Sequence, residues 1–168
     1  MKTTWLKVVI AYLTIVSFSA SCLFLFHISR IMYYFNIPAI LMMIVFLFVT
    51  ISNISYLIRK NNIRDTNLIL IYNTVFSLIA GLVLRIKGYA FADDLGVNLS
   101  VGYLQNYAGH TFIFNFNPFN LFINFPDRIL DTPGFHIEIN LIMWGIAIFL
   151  IIYYKRLNKV KKLAVNAI

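Results

Sequence analysis

The stretch IPAILMMIVFLFVTISNISYLI, residues 37–58, contains no charged side chain. A helix rises about 1.5 Å per residue, so about 20 apolar residues are enough to cross the hydrocarbon core of a bilayer. Backbone in hydrocarbon must satisfy its own hydrogen bonds, which favours a helix over an irregular segment. The stretch therefore predicts a transmembrane helix.

Three further apolar runs of similar length occur at residues 5–26, 68–86 and 137–154. Their few charges, Lys7, Arg85 and Glu138, lie near the ends of the runs. None of the runs has the alternating apolar and polar pattern of an outer-membrane barrel strand. The sequence thus predicts an all-α integral membrane protein, with four transmembrane helices forming a single domain over residues 1–168.

The composition indicates the same class of protein. The chain is 61% hydrophobic and 12% charged, with a mean hydropathy of +0.82, whereas soluble proteins average about 25% charged residues. The net charge of +8 would suggest nucleic acid in a soluble protein, but here the basic residues flank apolar runs. We expect the lipid bilayer as partner and no nucleic acid. The single cysteine, Cys22, excludes an intramolecular disulfide and CxxC redox chemistry.

The distribution of lysine and arginine predicts the orientation in the cell membrane, because basic residues accumulate on the cytoplasmic side. The two ends and the second connection carry most of these residues: Lys2, Lys7, Arg59, Lys60, Arg64, Lys155, Arg156, Lys159, Lys161 and Lys162. We therefore expect a multi-pass protein with both termini in the cytoplasm. The third connection, residues 87–136, would be an extracytoplasmic loop of about 50 residues.

The N-terminus also resembles a secretory signal, since MKTTWLK precedes an apolar run and SASC, ending at Cys22, resembles a lipoprotein cleavage site. Such sites require an aliphatic residue where this chain has Ser19, and the apolar run continues beyond Cys22 as LFLF. Cleaved signals have a shorter apolar region of about 7–15 residues. We expect an uncleaved first helix.

Small and weakly polar residues recur at helical spacing within the apolar runs: Ser17, Ser21, Asn53, Asn73, Ser77 and Gly81. Such residues let membrane helices approach closely and hydrogen-bond across their interface, so we expect helix packing at these positions. An alternative is that the stripe formed by Asn73, Ser77 and Gly81 lines a pore. Ionisable residues are absent from the centres of the runs, which argues against a proton-coupled pump.

The third connection holds the candidate catalytic side chains: His110, Asp127, Asp131, His136 and Glu138. Imidazole and carboxylate groups serve as general acids and bases and as zinc ligands. Their spacing does not require a metal, and HExxH, GxSxG and Gly-rich phosphate-loop motifs are absent from the sequence. We predict no metal and no cofactor. The alternative is that these residues are simply the solvated polar side chains of a loop.

The same connection contains FIFNFNPFNLFINF, residues 112–125. Residues 111–117 alternate in a strand-like period, whereas Asn117 and Pro118 are preferred at a helix N-cap and first turn. The spacing therefore predicts a short interfacial helix after Pro118. Its apolar side would bind the membrane surface, cover the helix ends, or bind a partner or lipid through four residues: Phe119, Phe122, Ile123 and Phe125.

These features favour a small polytopic membrane protein that acts as a non-enzymatic accessory or interaction protein. Its partner would be another membrane protein or a second copy, bound through the outer loop, the polar helix faces, or both. A membrane enzyme acting at the outer interface on a lipid or lipid-linked substrate is the first alternative. A transporter or channel subunit is the second.

Overall fold

The computed structural model describes residues 3–28, 37–59, 63–86, 89–106, 109–124 and 134–165. Within them lie four helices and four strands, so the chain is mostly helical but not all-α. The helices are α1 (Thr3–Phe26), α2 (Ile37–Ile58), α3 (Ile63–Ile79) and α4 (Leu141–Val165). The strands are β1 (Gly81–Ile86), β2 (Tyr89–Asn106), β3 (Gly109–Asn124) and β4 (Phe135–Asn140).

Three of the helices in the described ranges have the length and composition of membrane spans, which associates the chain with a membrane. The apolar segments are Thr4–Phe26 of α1, Ile40–Ile58 of α2 and Leu141–Val160 of α4. Helix α3 has only 17 residues. The prediction of four membrane-spanning helices is therefore supported for three of them.

The third and fourth apolar runs differ from their predicted helices. Helix α3 begins at Ile63, before the predicted start, and ends at Ile79 rather than at residue 86. The last part of that run is β1, whose backbone pairs with both β2 and β4. The fourth helix begins at Leu141 instead of residue 137. Strand pairing satisfies these backbone groups and outweighs the helix-forming apolar pattern.

In its described residues the third connection consists of strands, so the prediction of a short helix directly after Pro118 is wrong. Strand β3 continues past Pro118 to Asn124 and pairs with β2 on both sides of the proline. The pairing shifts register between Gly96 and Asn98, beside Pro118, and such irregularities tolerate a residue without an N–H. Phe119, Phe122 and Ile123 thus belong to β3, and Phe125 lies outside the described residues.

The four strands form an antiparallel sheet in the order β1-β4-β2-β3 with an additional pairing of β1 and β2. The first half of β2 pairs with β1, its second half pairs with β4, and β1 and β4 pair with each other. Three mutually antiparallel strands cannot all be straight, so β2 bends between Asp94 and Ser100. The three strands thereby close a small ring, and β3 runs along its outside.

The core between the helices combines aromatic and polar contacts. Phe46 of α2 makes edge-to-face contacts with Phe24 of α1 and Phe76 of α3, at ring separations of 5.6 and 5.4 Å. The Thr50 hydroxyl donates to the Ser17 hydroxyl of α1 over 2.9 Å. All five side chains are buried, so α2 is the centre of this packing.

Two buried asparagines connect α2 to α3. The side-chain Nδ2 of Asn53 donates to Oδ1 of Asn73 over 2.9 Å, and Nδ2 of Asn73 donates to Oδ1 of Asn53 over 2.7 Å. Both residues have no exposed surface. The pair satisfies polar groups that neither lipid nor the apolar core could satisfy.

Replacing one member of this pair should destabilise the protein more than replacing both. Hydrogen bonds between membrane helices average about 0.6 kcal/mol and reach about 1.7 kcal/mol, so Asn73→Leu should cost about 1–2 kcal/mol of unfolding free energy by orphaning Asn53. In the double variant Asn53→Leu/Asn73→Leu, part of this loss should return. Unfolding in detergent measures the double-mutant cycle, and strictly additive losses would contradict the coupling.

Candidate functional site

The sheet has two chemically different faces, because alternate residues of a strand point to opposite sides and paired residues share a side. One face is largely polar, interrupted by Val83, Leu104 and Ile113. Its polar members are Asn98, Ser100, Thr111, Asn115, Asn117, His136, Glu138 and Asn140. The other face is apolar, with Leu99, Val101, Tyr103, Phe112, Phe114, Phe116, Phe135, Ile137 and Ile139.

The burial of the two faces is the reverse of that in a soluble protein where β2 and β4 form the polar face, whereas the polar residues Thr111 and Asn115 of β3 are exposed. On the polar face, the exposed fractions are 0% for Asn98, 1% for Ser100 and 9% for Glu138. On the apolar face, Phe112 and Phe114 are 86% and 72% exposed. Antiparallel sheets in water place the apolar face inside, whereas membrane strands place it outside. The sheet has the pattern of a surface that contacts lipid.

Helix α1 holds the bend of β2. The hydroxyl of Tyr12 accepts a hydrogen bond from the Val97 N–H over 2.9 Å, and a Cβ at Gly96 would collide with that hydroxyl and lie 3.1 Å from Val16. Gly96 has a φ of 85°, a conformation that only glycine adopts readily. Because Tyr12 and Val16 flank the midpoint of the span Thr4–Phe26, the bend lies beside the middle of a candidate membrane helix.

A single asparagine joins the sheet to α4. The Asn140 side-chain oxygen accepts hydrogen bonds from the N–H groups of Ile142 and Met143, over 3.0 and 3.3 Å. This is an N-cap, and it fixes the first turn of the helix. The Asn140 amide donates to the Val97 carbonyl over 3.1 Å. Asn140 therefore binds the end of β4, the start of α4 and the bend of β2 to one another.

The most polar part of the buried face is centred on Glu138. The Ser100 hydroxyl donates to one carboxylate oxygen of Glu138, and His136 Nε2 lies 3.3 Å from the other oxygen. Gly102 pairs with Glu138, and a Cβ there would lie 2.7 Å from the Ile137 carbonyl oxygen. The close approach of β2 and β4 thus depends on this glycine. The trio could exchange protons, but Ser100 is 1% exposed and cannot meet a substrate in this arrangement.

The predicted catalytic residues do not all lie together. His110 is exposed on the apolar face, where it stacks on Tyr103 at a ring separation of 5.8 Å and contacts its hydroxyl. His136 and Glu138 lie on the buried face. Asp127 and Asp131 lie outside the described residues. Across the described ranges, no group of three or more His, Cys, Asp or Glu side chains could hold a metal ion.

The structure places the predicted helix-packing residues in buried positions or at the start of the sheet. Ser17, Ser21, Asn53, Asn73 and Ser77 are buried, and the Asn73 side chain bonds to Asn53 of α2. Gly81 begins β1 instead of ending α3. A Cβ at Gly81 would lie 2.8 Å from the Met143 Cβ, so this glycine lets β1 approach α4.

A cavity of about 250 Å³ lies between α2 and α3. Polar side chains at its wall include Ser52, Ser55, Arg59, Asp65 and Tyr72. Sites for small organic ligands usually enclose about 300–1,000 Å³. The cavity is below that range, and the two-faced sheet is the stronger candidate for a functional surface.

Two stretches outside the simple pattern of apolar runs carry a sequence signal for the sheet. In residues 98–103, polar or small residues alternate with apolar ones, and residues 135–140 read FHIEIN with the same period. Alternation over four to eight residues indicates a strand with two unlike faces. Asn140, just before an apolar run, is also a standard N-cap signal.

No protein-family model, no curated protein and no solved structure matches this chain. Its function is therefore inferred from the arrangement of its own residues.

Proposed function

We propose that this protein is a non-enzymatic accessory or interaction protein of the cell membrane, and that its working surface is the sheet. The observation that carries the proposal is the reversed sheet, with Ser100 and Glu138 buried and Phe112, Phe114 and Phe116 exposed. The apolar face would contact acyl chains, and the free edge of β3 would bind a partner by strand addition. Burial of the Ser100–Glu138–His136 trio weighs against catalysis there.

The orientation is part of the proposal. Lysines and arginines at both ends and in the second connection favour a cytoplasmic position for both termini. The sheet would then enter the bilayer from the opposite side, beside the outer half of α1. Contacts of Tyr12 and Val16 with the β2 bend support this depth. In the ring of β1, β2 and β4, residues 82–86 and 135–139 pair with strands on both sides, as non-helical backbone in a membrane requires.

Spin-label accessibility tests the placement of the sheet. In a Cys22→Ser background, single cysteines at residues 112–117 would be labelled in the full-length protein reconstituted in vesicles. We expect collision with oxygen, which concentrates in acyl chains, to rise at 112, 114 and 116 and fall at 113, 115 and 117. The two-residue period follows from the alternating faces of β3.

A label at residue 51 provides a lipid-exposed reference, because Ile51 is 66% exposed on the span of α2. A label at Lys159, an exposed lysine in the basic stretch at the end of the span Leu141–Val160, gives an aqueous reference. If residue 114 collided with a water-soluble nickel reagent as readily as residue 159 does, the apolar face would be in water and the proposal would fail.

A further inference from the structure

Strand β3 has a free edge along the side opposite β2. In the part of the chain that the structure describes, β3 pairs with β2 alone. The N–H and C=O groups on its other side therefore need partners. In water the solvent supplies them, but within hydrocarbon each unsatisfied group costs several kcal/mol and open sheet edges do not occur. If the sheet lies in the bilayer, as proposed above, another strand must cover this edge.

We propose that the covering strand is β3 of a second copy of this chain, paired antiparallel about a two-fold axis. This inference rests on the proposed membrane placement of the sheet. A two-fold interface requires a surface that complements itself. Strand β3 meets this requirement through its alternation: residues 110, 112, 114 and 116 are all aromatic, and residues 111, 113, 115 and 117 are Thr, Ile, Asn and Asn.

The alternation restricts the position of the axis. When the axis passes through a residue, even-numbered residues lie opposite even-numbered ones, so phenylalanines meet phenylalanines on the lipid side. When the axis passes between two residues, even-numbered residues lie opposite odd-numbered ones. Each phenylalanine would then lie opposite Thr, Ile or Asn. A shift of this kind exchanges the faces of a strand. The axis therefore passes through a residue of β3.

The two ends of the segment determine through which residue the axis passes. Pro118 has no N–H and cannot donate to a second ladder, and Gly109, with a φ of 127°, is the first residue of β3. The longest self-pairing between these limits covers residues 109–117 and is centred on Ile113. It places Phe112 opposite Phe114 of the other copy. Residues 109–117 contain no lysine, arginine or carboxylate, so like charges do not oppose each other.

Cysteine cross-linking in vesicles tests this register in the full-length protein with Cys22→Ser. Residues opposite each other have Cβ atoms about 4.5–5.5 Å apart, which a short bifunctional maleimide spans. Ile113→Cys should cross-link to its own copy several-fold more than Thr111→Cys or Asn115→Cys, whose copies would be about 13 Å apart along the strand. A mixture of the Thr111→Cys and Asn115→Cys proteins should cross-link efficiently, because residue 111 of one copy lies opposite residue 115 of the other.

Ile51→Cys on the exposed side of α2 measures random collision. Because Ile113→Cys could impair folding, a mixture of the Phe112→Cys and Phe114→Cys proteins gives a second measurement of the same register. Cross-linking of all these variants at the level of Ile51→Cys would overturn the inference. If residue 114 is still lipid-accessible in the spin-label experiment, only the pairing fails; if it is in water, the proposed function fails with it.

Discussion

Gly96→Ala is expected to cost about 3 kcal/mol of unfolding free energy. Two causes add. Gly96 has a φ of 85°, which strains a residue with a Cβ, and that Cβ would collide with the hydroxyl of Tyr12 and lie 3.1 Å from Val16. The β2 bend should then separate from α1. Unfolding of the purified protein in detergent measures the loss.

Three variants separate these causes. Gly109 has a φ of 127° but open space where a Cβ would lie. Gly109→Ala should therefore show the cost of backbone strain alone, about 1–2 kcal/mol. Gly145→Ala, in α4 and also without neighbours, should be neutral or stabilising by up to about 1 kcal/mol. Tyr12→Phe should partly rescue Gly96→Ala by removing the clashing oxygen. Equal losses at Gly96 and Gly109 would refute the contact with α1.

Phe114→Lys is expected to cost about 2–4 kcal/mol, the penalty for lysine on the lipid-facing side of a membrane strand near the bilayer centre. Phe114 is 72% exposed on the apolar face, so in the proposed placement its side chain lies among acyl chains. Folding into vesicles from urea, followed by the shift of the folded band on unheated gels, measures this loss.

The matched control is Asn115→Lys, one residue along β3, exposed and on the opposite face. It should cost much less than Phe114→Lys, because its side chain does not face acyl chains. In a sheet standing in water the difference would vanish: Phe114→Lys would then fall within about 0.5 kcal/mol of the wild type, as surface substitutions usually do. The size of the difference between these two neighbours therefore tests whether the apolar face contacts lipid.

The sequence predicts the helices better than the sheet. Residues 37–58 form α2 with both boundaries as predicted, and the first run matches α1 to within two residues at its start. Long uncharged runs have few alternatives to a helix in lipid. The prediction of a single helix over residues 68–86 is wrong because apolar residues suit a membrane helix and a buried strand equally. Its division after Ile79 is decided by pairing with β4, more than 50 residues later.

The candidate surface was only partly predictable. The alternation of residues 111–117 indicates a strand, and that interpretation is confirmed by β3. The preference of Asn117 and Pro118 for a helix start is a local effect of about 1 kcal/mol, and the ladder to β2 outweighs it. The contact of Tyr12 with Val97 joins residues far apart in the chain. Spacing within a single segment cannot reveal it.

The order in which the strands are synthesised has a consequence for how the protein is made. The ring requires β1, β2 and β4, but β4 emerges last and runs directly into α4 at Asn140. Until the ribosome has delivered that final segment, β1 and β2 form an incomplete ribbon with an uncovered border. Closure of the sheet therefore cannot precede the synthesis of the segment that leads into α4.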